Sequence, residues 1–324
     1  MSIKSFASKQ FSTHLLDERR RDKARARAER GRRRKGEPHR IEFFHQVDDP
    51  YSHLLAQALV KLGERYEVEV VTWLVEPPED WAAPARALLE SYSLVDAGRL
   101  AEKAGFHVTS AEPPDAELVL SVQRQLTATL EAPEEPGAAA TLEAAVVLGK
   151  ALWGGEPVAA DEGTVTDATL QATLSVGTER RADLGHYLGG TCFYGGEWTW
   201  GIDRLAYLEE RLADLGARRS GGAAEITPIY SQPRLVEEPV PADIPETADL
   251  PDLHFFASFR SPYTWISTER VIRLAEAFGV NLRIRFVLPM VMRGLPVKRS
   301  KRVYILLDAA REARRNGVQF GPIS

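Results

Sequence analysis

Residues 41–52 read I-E-F-F-H-Q-V-D-D-P-Y-S, and this stretch decides the fold of the chain. Its first seven residues are mostly apolar and aromatic, a composition typical of a short buried strand. Asp49 and Pro50 then supply the start of a helix, because aspartate is favoured at the cap position and proline in the first turn. The stretch therefore predicts a strand that leads directly into a helix.

The residues that follow complete a strand–helix–strand unit. Leucine and alanine recur at helical spacing over residues 52–64, which predicts a helix. Alternating apolar residues over 66–75 predict a second strand, which Pro77 and Pro78 close. A unit of about 35 residues with two such strands is the size expected for a right-handed parallel crossover.

The same unit returns 212 residues further along the chain. Residues 253–264 read L-H-F-F-A-S-F-R-S-P-Y-T, so that Ser261 stands where the first copy has Asp49. The offset stays constant into the next helix, where special residues match in register. The matching residues there are Tyr304, Leu306, Asp308, Arg311, Ala313 and Gly317 in the second copy and Tyr92, Leu94, Asp96, Arg99, Ala101 and Gly105 in the first. A constant offset of this length predicts two copies of one domain in tandem.

Between the two strand–helix–strand units, the composition predicts a mostly helical stretch followed by a hairpin. Alanine, leucine, glutamate and arginine are enriched over residues 82–105, 115–131, 137–152 and 165–187, with proline or glycine at the breaks. Residues 189–194 and 197–200 then read as two strands turned by a glycine pair, and an amphipathic helix ends at Leu215. Residues 217–251 contain six prolines and no periodic pattern, which predicts an extended linker.

The match of the second copy to the first ends at Gly317. A hairpin and a last helix equivalent to residues 189–215 would fall near residue 401 and beyond, outside the sequence. The alternatives are a fragment of a longer protein and a copy that borrows or lacks its other half. Half of such a sheet leaves strand edges unpaired and an apolar face uncovered, which favours the fragment.

The predicted organisation therefore has four parts. These are a basic, flexible N-terminal arm over residues 1–39, a first domain over 40–216, a proline-rich linker over 217–251 and the N-terminal half of a second domain over 252–324. We refer to the first domain as copy one and to the half domain as copy two.

The overall composition excludes several classes of protein. The chain has 324 residues, 44% of them hydrophobic, enough to bury a sizeable core in about two domains. No run of about 18 apolar residues predicts a transmembrane helix, and the N-terminus lacks the apolar stretch of a secretory signal. Cys192 is the only cysteine, and the histidines have no metal-ligand spacing, so no disulfide framework and no metal site are expected. A reducing, cytoplasmic setting fits this cysteine usage.

The N-terminal arm carries a charge opposite to that of the remaining chain. Residues 1–40 contain 14 Lys and Arg but 5 Asp and Glu, whereas the remaining residues carry a net charge of −14. Such a run is either an arm for nucleic acid or another anionic partner, or a solvated tail that is disordered or loosely helical. A charge block without interleaved aromatic residues carries little specificity, which favours the tail. An anionic partner and a dimer both stay open.

These features together resemble the DsbA-like thioredoxin-fold superfamily. The shared marks are a strand, Ser-Pro-Tyr at a helix start, a second strand ending at a proline, and K-x-x-Y-x-x-x-D-x-x-R over residues 301–311. Copy one adds G-E-x-x-W-G-x-D-R-L over 196–205, which resembles the terminal hairpin and helix of the superfamily. The most similar branch is that of 2-hydroxychromene-2-carboxylate isomerase and the kappa-class glutathione transferases. The resemblance covers about residues 40–215 and 252–324.

The resemblance implies an α/β, thioredoxin-like fold with a helical insertion, here in tandem duplication. It implies that glutathione binds at the N-terminus of the first helix, where Ser261 matches the catalytic serine and is followed by Pro262 and Tyr263. A helix N-terminus offers free N–H donors and a partial positive charge that favour a thiolate. Asp203 matches an aspartate that contacts the γ-glutamyl amine. The implied activity is a glutathione-dependent isomerisation or transfer on a small electrophilic, aromatic substrate.

Copy one departs from the pattern of the superfamily at its own helix start. Asp49 replaces the serine and Asp48 precedes it, and two carboxylates would raise the pKa of a nearby thiol and weaken it as a nucleophile. Gly190 aligns with the cis-proline that precedes the hairpin strand in the superfamily. We therefore expect a degenerate site in copy one, formed by Asp49, Pro50, Tyr51 and Gly190.

Two functions of different classes follow. The first is a glutathione-dependent enzyme that uses Ser261 of copy two. The second is a non-catalytic tandem thioredoxin-fold protein that binds a partner or small ligand but no glutathione. Ser261, Asp49 and Asp203 each have a structural explanation as helix caps. Dithiol–disulfide exchange is disfavoured, because neither copy carries a C-x-x-C motif.

Overall fold

The computed structural model describes residues 3–108, 110, 112–158, 163, 165–220, 227–230 and 250–321. The chain divides into two compact units, one formed by Met1–Lys23 with Gln232–Ser324 and the other by Ala24–Ser231. The second of these, which we call the larger unit, contains copy one, and the smaller unit contains copy two. No described helix is long and apolar enough to cross a membrane.

Both units contain helices and strands. The helices are α1 (Ile3–Leu16), α2 (Glu18–Lys35), α3 (Pro50–Arg65), α4 (Arg86–Ala104), α5 (Ala116–Thr127), α6 (Ala139–Gly154), α7 (Asp167–Asp183), α8 (Leu205–Asp214), α9 (Pro262–Phe278) and α10 (Arg299–Arg315). The strands are β1 (His39–His45), β2 (Val68–Leu74), β3 (Thr191–Tyr194), β4 (Glu197–Trp200), β5 (Leu253–Ala257) and β6 (Leu282–Phe286).

The larger unit is built on a four-stranded sheet with the order β2-β1-β3-β4. β1 and β2 are parallel and joined by α3, whereas β3 is antiparallel to β1 and β4 is antiparallel to β3. A parallel strand–helix–strand unit followed by a hairpin and a closing helix is the thioredoxin-like arrangement. The predicted α/β fold class is therefore confirmed.

The helical insertion lies where the composition predicts it. Helices α4 to α7 fall within a few residues of the four predicted segments. α6 and α7 pack against β2, and α7 approaches the strand closely because it has a glycine at the contact. A Cβ atom on Gly177 would lie 2.1 Å from the carbonyl oxygen of Leu74, so a larger residue there would push the helix away from the sheet.

The core of the larger unit lies on both faces of β1. Ile41 and Phe43 of β1 are fully buried together with Leu59 of α3. Ile202 and Leu205, which follow the β3–β4 hairpin, belong to the same cluster. A second cluster, which includes Leu74 of β2 and Trp153 of α6, packs the helical insertion against the sheet. Burial of one such large apolar side chain contributes about 1.5–3 kcal/mol.

Among its described residues, the smaller unit repeats the strand–helix–strand part and the helix that follows it, α10. β5 and β6 are parallel, and Leu253 pairs with Leu282 at the same sequence separation as His39 with Val68 in the larger unit. Its buried apolar cluster is small and consists of Ile266, Ala309 and Ala313. The equal register agrees with the repeat, while the duplication of the whole domain stays a prediction.

Within the N-terminal arm, Ile3–Leu16 and Glu18–Lys35 form helices α1 and α2, and the flexibility of the arm stays a prediction. Alanine and arginine favour helix, and Glu29 pairs with Arg32 and Arg33 one turn away, which stabilises α2 locally. A bidentate ion pair then joins Arg25 to Glu197 of β4, with both N–O distances 2.8 Å. These contacts hold the C-terminal half of the arm against copy one.

The first domain also extends further than predicted. Ala217 and Tyr230, which fall within the predicted linker, are buried in the core cluster around β1. The backbone N–H of Ile229 donates to the carboxylate of Glu209 at 2.9 Å, which fixes this part of the chain. Residues 221–226 and 231–249 of the predicted linker lie outside the described residues.

Candidate functional site

The first candidate site is the N-terminus of α3 in copy one. Asp49 caps this helix, because its carboxylate accepts hydrogen bonds from the backbone N–H groups of Tyr51 at 3.2 Å and Ser52 at 3.1 Å. Pro50 occupies the first turn, where its missing N–H leaves no donor unsatisfied. The neighbouring Asp48 carboxylate accepts from the side-chain amide of Gln46 at 3.1 Å. The predicted cap role of Asp49 is therefore confirmed.

The carboxyl group of Asp49 has an unusual pKa for an aspartate. Burial is the main cause that raises this pKa, the backbone N–H donors of Tyr51 and Ser52 oppose the rise, and the negative charge of Asp48 adds to it, so that the pKa is about 7. Asp49 is thus protonated in a large fraction of molecules near neutral pH. The helix start of copy one presents a weak acid where the resemblance implies a hydroxyl.

The loop before β3 lies against this helix start. Gly190 has a φ of +62°, and a Cβ atom there would lie 2.9 Å from Oδ2 of Asp49 and 3.1 Å from the backbone nitrogen of Ser52. Its own N–H donates to the carbonyl oxygen of Phe44 at 3.0 Å. No cis peptide bond occurs in the described residues, so Gly190 does not reproduce the cis-proline geometry of the superfamily. The two sequence-predicted residues Asp49 and Gly190 are nevertheless brought together.

Asp203 follows the hairpin at the same end of the sheet. The N–H of Gly201 donates to the carbonyl oxygen of Gly190 at 2.9 Å, and Asp203 lies two residues further, in a short 3₁₀ turn. Its carboxylate accepts from the guanidinium of Arg204 at 2.6 Å. The structural explanation of Asp203 as a cap of the last helix is wrong, since α8 begins after Arg204 and has no side-chain cap.

Two buried histidines lie close to this helix start, one at the end of β1 and one in the first turn of α3. Nδ1 of His45 and Nδ1 of His53 have no hydrogen-bond partner among the described residues. Burial lowers the pKa of His45 to about 3 and that of His53 to about 4, so both rings are neutral at neutral pH. No group of three or more metal-ligating side chains occurs in the described part of the chain.

The second candidate site is the N-terminus of α9 in copy two. Ser261 caps this helix of 17 residues, and its Oγ accepts from the N–H of Thr264 at 3.3 Å. The side chain is partly exposed, and its hydroxyl donates no hydrogen bond to a described residue. Pro262 again occupies the first turn. The hydroxyl proton can therefore be donated to a ligand while the oxygen continues to cap the helix.

A tyrosine holds the first turn of the helix in both copies. The hydroxyl of Tyr51 donates to Asp96 at 2.8 Å, and that of Tyr263 donates to Asp308 at 2.9 Å. Burial, with the nearby Asp96 carboxylate, raises the pKa of Tyr51 well above its ordinary range. These phenols are thus anchors of the helix start and poor proton donors to a substrate.

The aspartate of copy two has a second partner. The guanidinium of Arg311 donates to the Asp308 carboxylate at 2.7 Å, and Asp308 is almost fully buried. This ion pair, between residues three apart on α10, fixes the carboxylate that holds Tyr263. Cys192 is also buried, and burial raises the pKa of its thiol.

Sequence reasoning missed the buried histidines and the Tyr–Asp hydrogen bonds. The histidines gave no signal, because neither spacing nor neighbours distinguish a buried imidazole from an exposed one. The Tyr–Asp pairs did leave a signal, since both residues recur at the 212-residue offset of the repeat. Two polar residues that repeat together are candidates for a mutual contact.

Comparisons with known proteins add little to this description. No family model matches the chain, and no curated protein matches it. A solved structure of 2-hydroxychromene-2-carboxylate isomerase is similar over 55% of this chain and 96% of its own, at 20% sequence identity and a TM-score of 0.41. Similarity at this level carries no argument about activity, so the function has to be argued from the two helix starts.

Proposed function

We propose that this chain is a thioredoxin-fold protein that binds glutathione at the N-terminus of α9. Ser261 is the catalytic residue and donates a hydrogen bond to the thiolate. The reaction is a glutathione-dependent isomerisation or transfer on a small electrophilic, aromatic substrate. We place the protein in the cytoplasm, because its single cysteine cannot form a disulfide within the chain and glutathione is kept reduced in that compartment.

One observation carries the proposal, namely the hydrogen bonding of the Ser261 hydroxyl. The oxygen accepts the cap bond from Thr264, while the proton is donated to no described residue. The macrodipole of α9 adds a partial positive charge at this end, which stabilises a thiolate at neutral pH. A serine in this position therefore lowers the pKa of a bound thiol without itself being oxidised.

The neighbours of Ser261 support its position. Tyr263 is anchored to Asp308, which in turn is paired with Arg311. Pro262 fixes the first turn, so the serine hydroxyl is presented on a rigid helix start. Pro262 and Tyr263 are the residues that we expect to contact glutathione next to its sulfur.

The chemistry of the isomerisation balances without an added reductant. The glutathione thiolate adds to an electrophilic carbon of the substrate and converts a double bond into a single bond, about which the substrate rotates. Elimination of the thiolate restores the double bond in the other geometry. Ser261 stabilises the thiolate when it enters and when it leaves, and the cofactor is not consumed.

Copy one is not the catalytic copy in this proposal. Asp49 accepts two backbone hydrogen bonds and shares its surroundings with Asp48, so a thiolate there would meet negative charge. Asp203 lies in copy one, where it is paired with Arg204. A γ-glutamyl contact of Asp203 is therefore expected only if copy one also retains glutathione binding.

Calorimetric titration of glutathione into the full chain tests the proposal. We expect micromolar to low-millimolar binding that Ser261→Ala and Ser261→Asp both weaken at least tenfold, because the first removes the donor and the second introduces a negative charge. Ser261→Asp also keeps a helix cap, so it separates loss of binding from loss of folding. Ser261→Thr retains the hydroxyl and is expected to bind, and Ser258→Ala in the same loop serves as the control.

A non-catalytic binding protein is the second candidate, and one observation favours it. Large apolar side chains of the smaller unit are exposed, among them Phe256, Phe286 and Val291. Exposed apolar patches mark interaction sites in many proteins. No heat of binding at several millimolar glutathione would contradict the enzyme and leave the chain as a binding module.

A further inference from the structure

Helix α2 carries a row of cations along its outer surface. The five side chains of this row, Arg19, Lys23, Arg27, Arg30 and Arg34, are all exposed. None of these five side chains forms a hydrogen bond or an ion pair with a described residue. The other basic residues of this helix each lie near an acid and are paired with it. We call these five residues the cationic row.

The spacing of the row places its members on one face of the helix. Successive members are four, four, three and four residues apart. At 100° per residue these positions fall within an arc of about 80°, and the row extends over about 22 Å at a rise of 1.5 Å per residue. Neighbouring charges are therefore about 6 Å apart along a nearly straight line.

Contacts on the opposite side fix the orientation of the row. Arg25 forms the bidentate ion pair with Glu197 of β4. Arg32 donates to Glu29 at 2.8 and 2.9 Å and to the backbone carbonyl oxygen of Glu37 at 2.7 Å. The inward side of α2 is thus neutralised, while its outward side presents uncompensated positive charge.

A helix that served only as a spacer would not need this arrangement. Like charges three or four residues apart destabilise a helix, and an acid between them would remove the repulsion. The acids inside the helix do not relieve the repulsion within the row, because Asp22 is paired with Arg21 and Glu29 with Arg32 and Arg33. An external anion with a regular charge spacing relieves the repulsion in the same way.

The composition of α2 narrows the class of anion. The helix contains no aromatic residue, so it offers no platform on which unpaired bases could stack. It contains no apolar residue larger than alanine, so it has no side chain to insert into a lipid surface. It also has no asparagine or glutamine to read adenine, and five cations about 6 Å apart along one line match a row of phosphates.

We propose that the cationic row of α2 binds the phosphate backbone of double-stranded DNA without sequence preference. The wide major groove of B-form DNA admits a helix alongside a phosphate strand, whereas the major groove of duplex RNA is deep and narrow. The contact is independent of the glutathione site, because no residue of either helix start belongs to the row.

Fluorescence anisotropy of the full chain with a labelled 24-base-pair DNA duplex tests the inference. For five phosphate contacts, the logarithm of the association constant should fall with the logarithm of salt concentration with a slope of about −4 to −5. Changing Arg27, Arg30 and Arg34 together to glutamine should weaken binding at least tenfold at low salt and reduce the slope to about −2.

A matched control separates the row from net charge. The variant with Arg293, Arg299 and Arg302 changed to glutamine removes the same number of charges from exposed positions of copy two and should bind DNA as the unmodified chain does. Equal loss in the two triple variants would contradict the proposal, as would binding that neither variant weakens. Circular dichroism confirms that both variants fold.

Competing ligands define the remaining outcomes. Single-stranded DNA and duplex RNA of the same length should bind at least several-fold more weakly than the DNA duplex. Vesicles that contain one third phosphatidylserine should bind the chain no better than the DNA duplex does at an equal concentration of negative charge. Preference for vesicles, for RNA or for single strands would overturn the assignment to double-stranded DNA.

Discussion

The two strand–helix–strand units share their local geometry but differ in what covers them. The parallel strands have the same register, and each helix start is held by a tyrosine–aspartate hydrogen bond. Phe44 of β1 is fully buried, whereas its counterpart Phe256 of β5 is 66% exposed. Equivalent positions of one repeat therefore occupy opposite environments.

The difference arises from segments outside the repeated unit. In copy one, β3 pairs with β1 at Glu42 and Phe44, and α6 and α7 pack against β2. The counterparts of these elements do not occur among the described residues of copy two, so Ile284 and Phe286 are 65% and 59% exposed. Local sequence specifies the strand–helix–strand unit, but later parts of the chain decide its burial.

The two helix starts differ chemically as well. Copy one places an aspartate with a pKa of about 7 at the cap, and copy two places a neutral serine there. Both residues satisfy the backbone of the first turn equally well. The same cap can therefore be kept for stability while its chemistry toward a ligand changes.

The largest expected effect compares the two phenylalanines. Phe44→Ala should lower the free energy of unfolding of the larger unit by about 3–5 kcal/mol, because it opens a cavity beside Trp198, whose ring centroid lies 5.3 Å away. Phe256→Ala should cost less than about 1 kcal/mol, because little burial is lost. Urea unfolding of both variants measures the difference, and equal costs would show that the two copies are equally covered.

The second effect concerns the cap of copy one. The pKa of Asp49 is raised in the folded state, so its contribution favours folding at low pH and is lost as the pH rises through about 7. Asp49→Asn keeps the cap but does not titrate. As the pH rises from 4 to 8, the free energy of unfolding of this variant should therefore increase by on the order of 2 kcal/mol relative to that of the unmodified chain. Ser261→Asn should show no such pH dependence, and a parallel gain would contradict the assignment to Asp49.

The third effect concerns the buried histidines. Their pKa values are lowered in the folded state, so the unfolded chain binds more protons and stability falls as the pH drops from about 6.5 to about 4 for His53 and to about 3 for His45. His45→Phe fills the same space beside Phe43 and should remove about 2 kcal/mol of the acid-dependent loss at pH 5. Unfolding titrations at pH 7 and pH 5 measure it, and an unchanged pH dependence would show that His45 is protonated in the folded state.

The smallest effect compares the two tyrosine anchors. Tyr51→Phe and Tyr263→Phe should each cost about 1 kcal/mol, because each removes one hydrogen bond to an aspartate. Thermal unfolding of the full chain measures both. The two losses of unfolding free energy should agree within about 0.5 kcal/mol if the anchors are equivalent. A loss in only one copy would show that the two tyrosines do not have the same role.

Much of the fold could be predicted because the signals are local. The alternation over 66–75, the proline at each helix start and the glycine pair at Gly195 and Gly196 specify their elements without reference to other parts of the chain. The N-terminal helices could not be predicted in the same way, because α2 has no apolar periodicity and is held by ion pairs to residues distant in sequence, such as Glu197. Tyr230 was missed for a related reason, since a buried residue inside a proline-rich segment gives no pattern.

The sequence indicated positions for the candidate site more than it indicated their chemistry. The resemblance located Asp49, Gly190 and Ser261, and the structure places the first two in contact. The pKa of Asp49 depends on burial and on Asp48, which only the folded arrangement determines. The cap role of Asp203 was wrong because a 3₁₀ turn, which has no distinct sequence signature here, precedes α8.

One measurement tests the central contrast between the copies most directly. Glutathione titrated into the full ¹⁵N-labelled chain should shift the amide resonances of Tyr263 and Thr264, at the start of α9, in a saturable manner. Those of Tyr51 and Ser52, at the start of α3, should not move. Shifts at the α3 start, or no shift at either helix start at several millimolar glutathione, would contradict the assignment of the thiol site to Ser261.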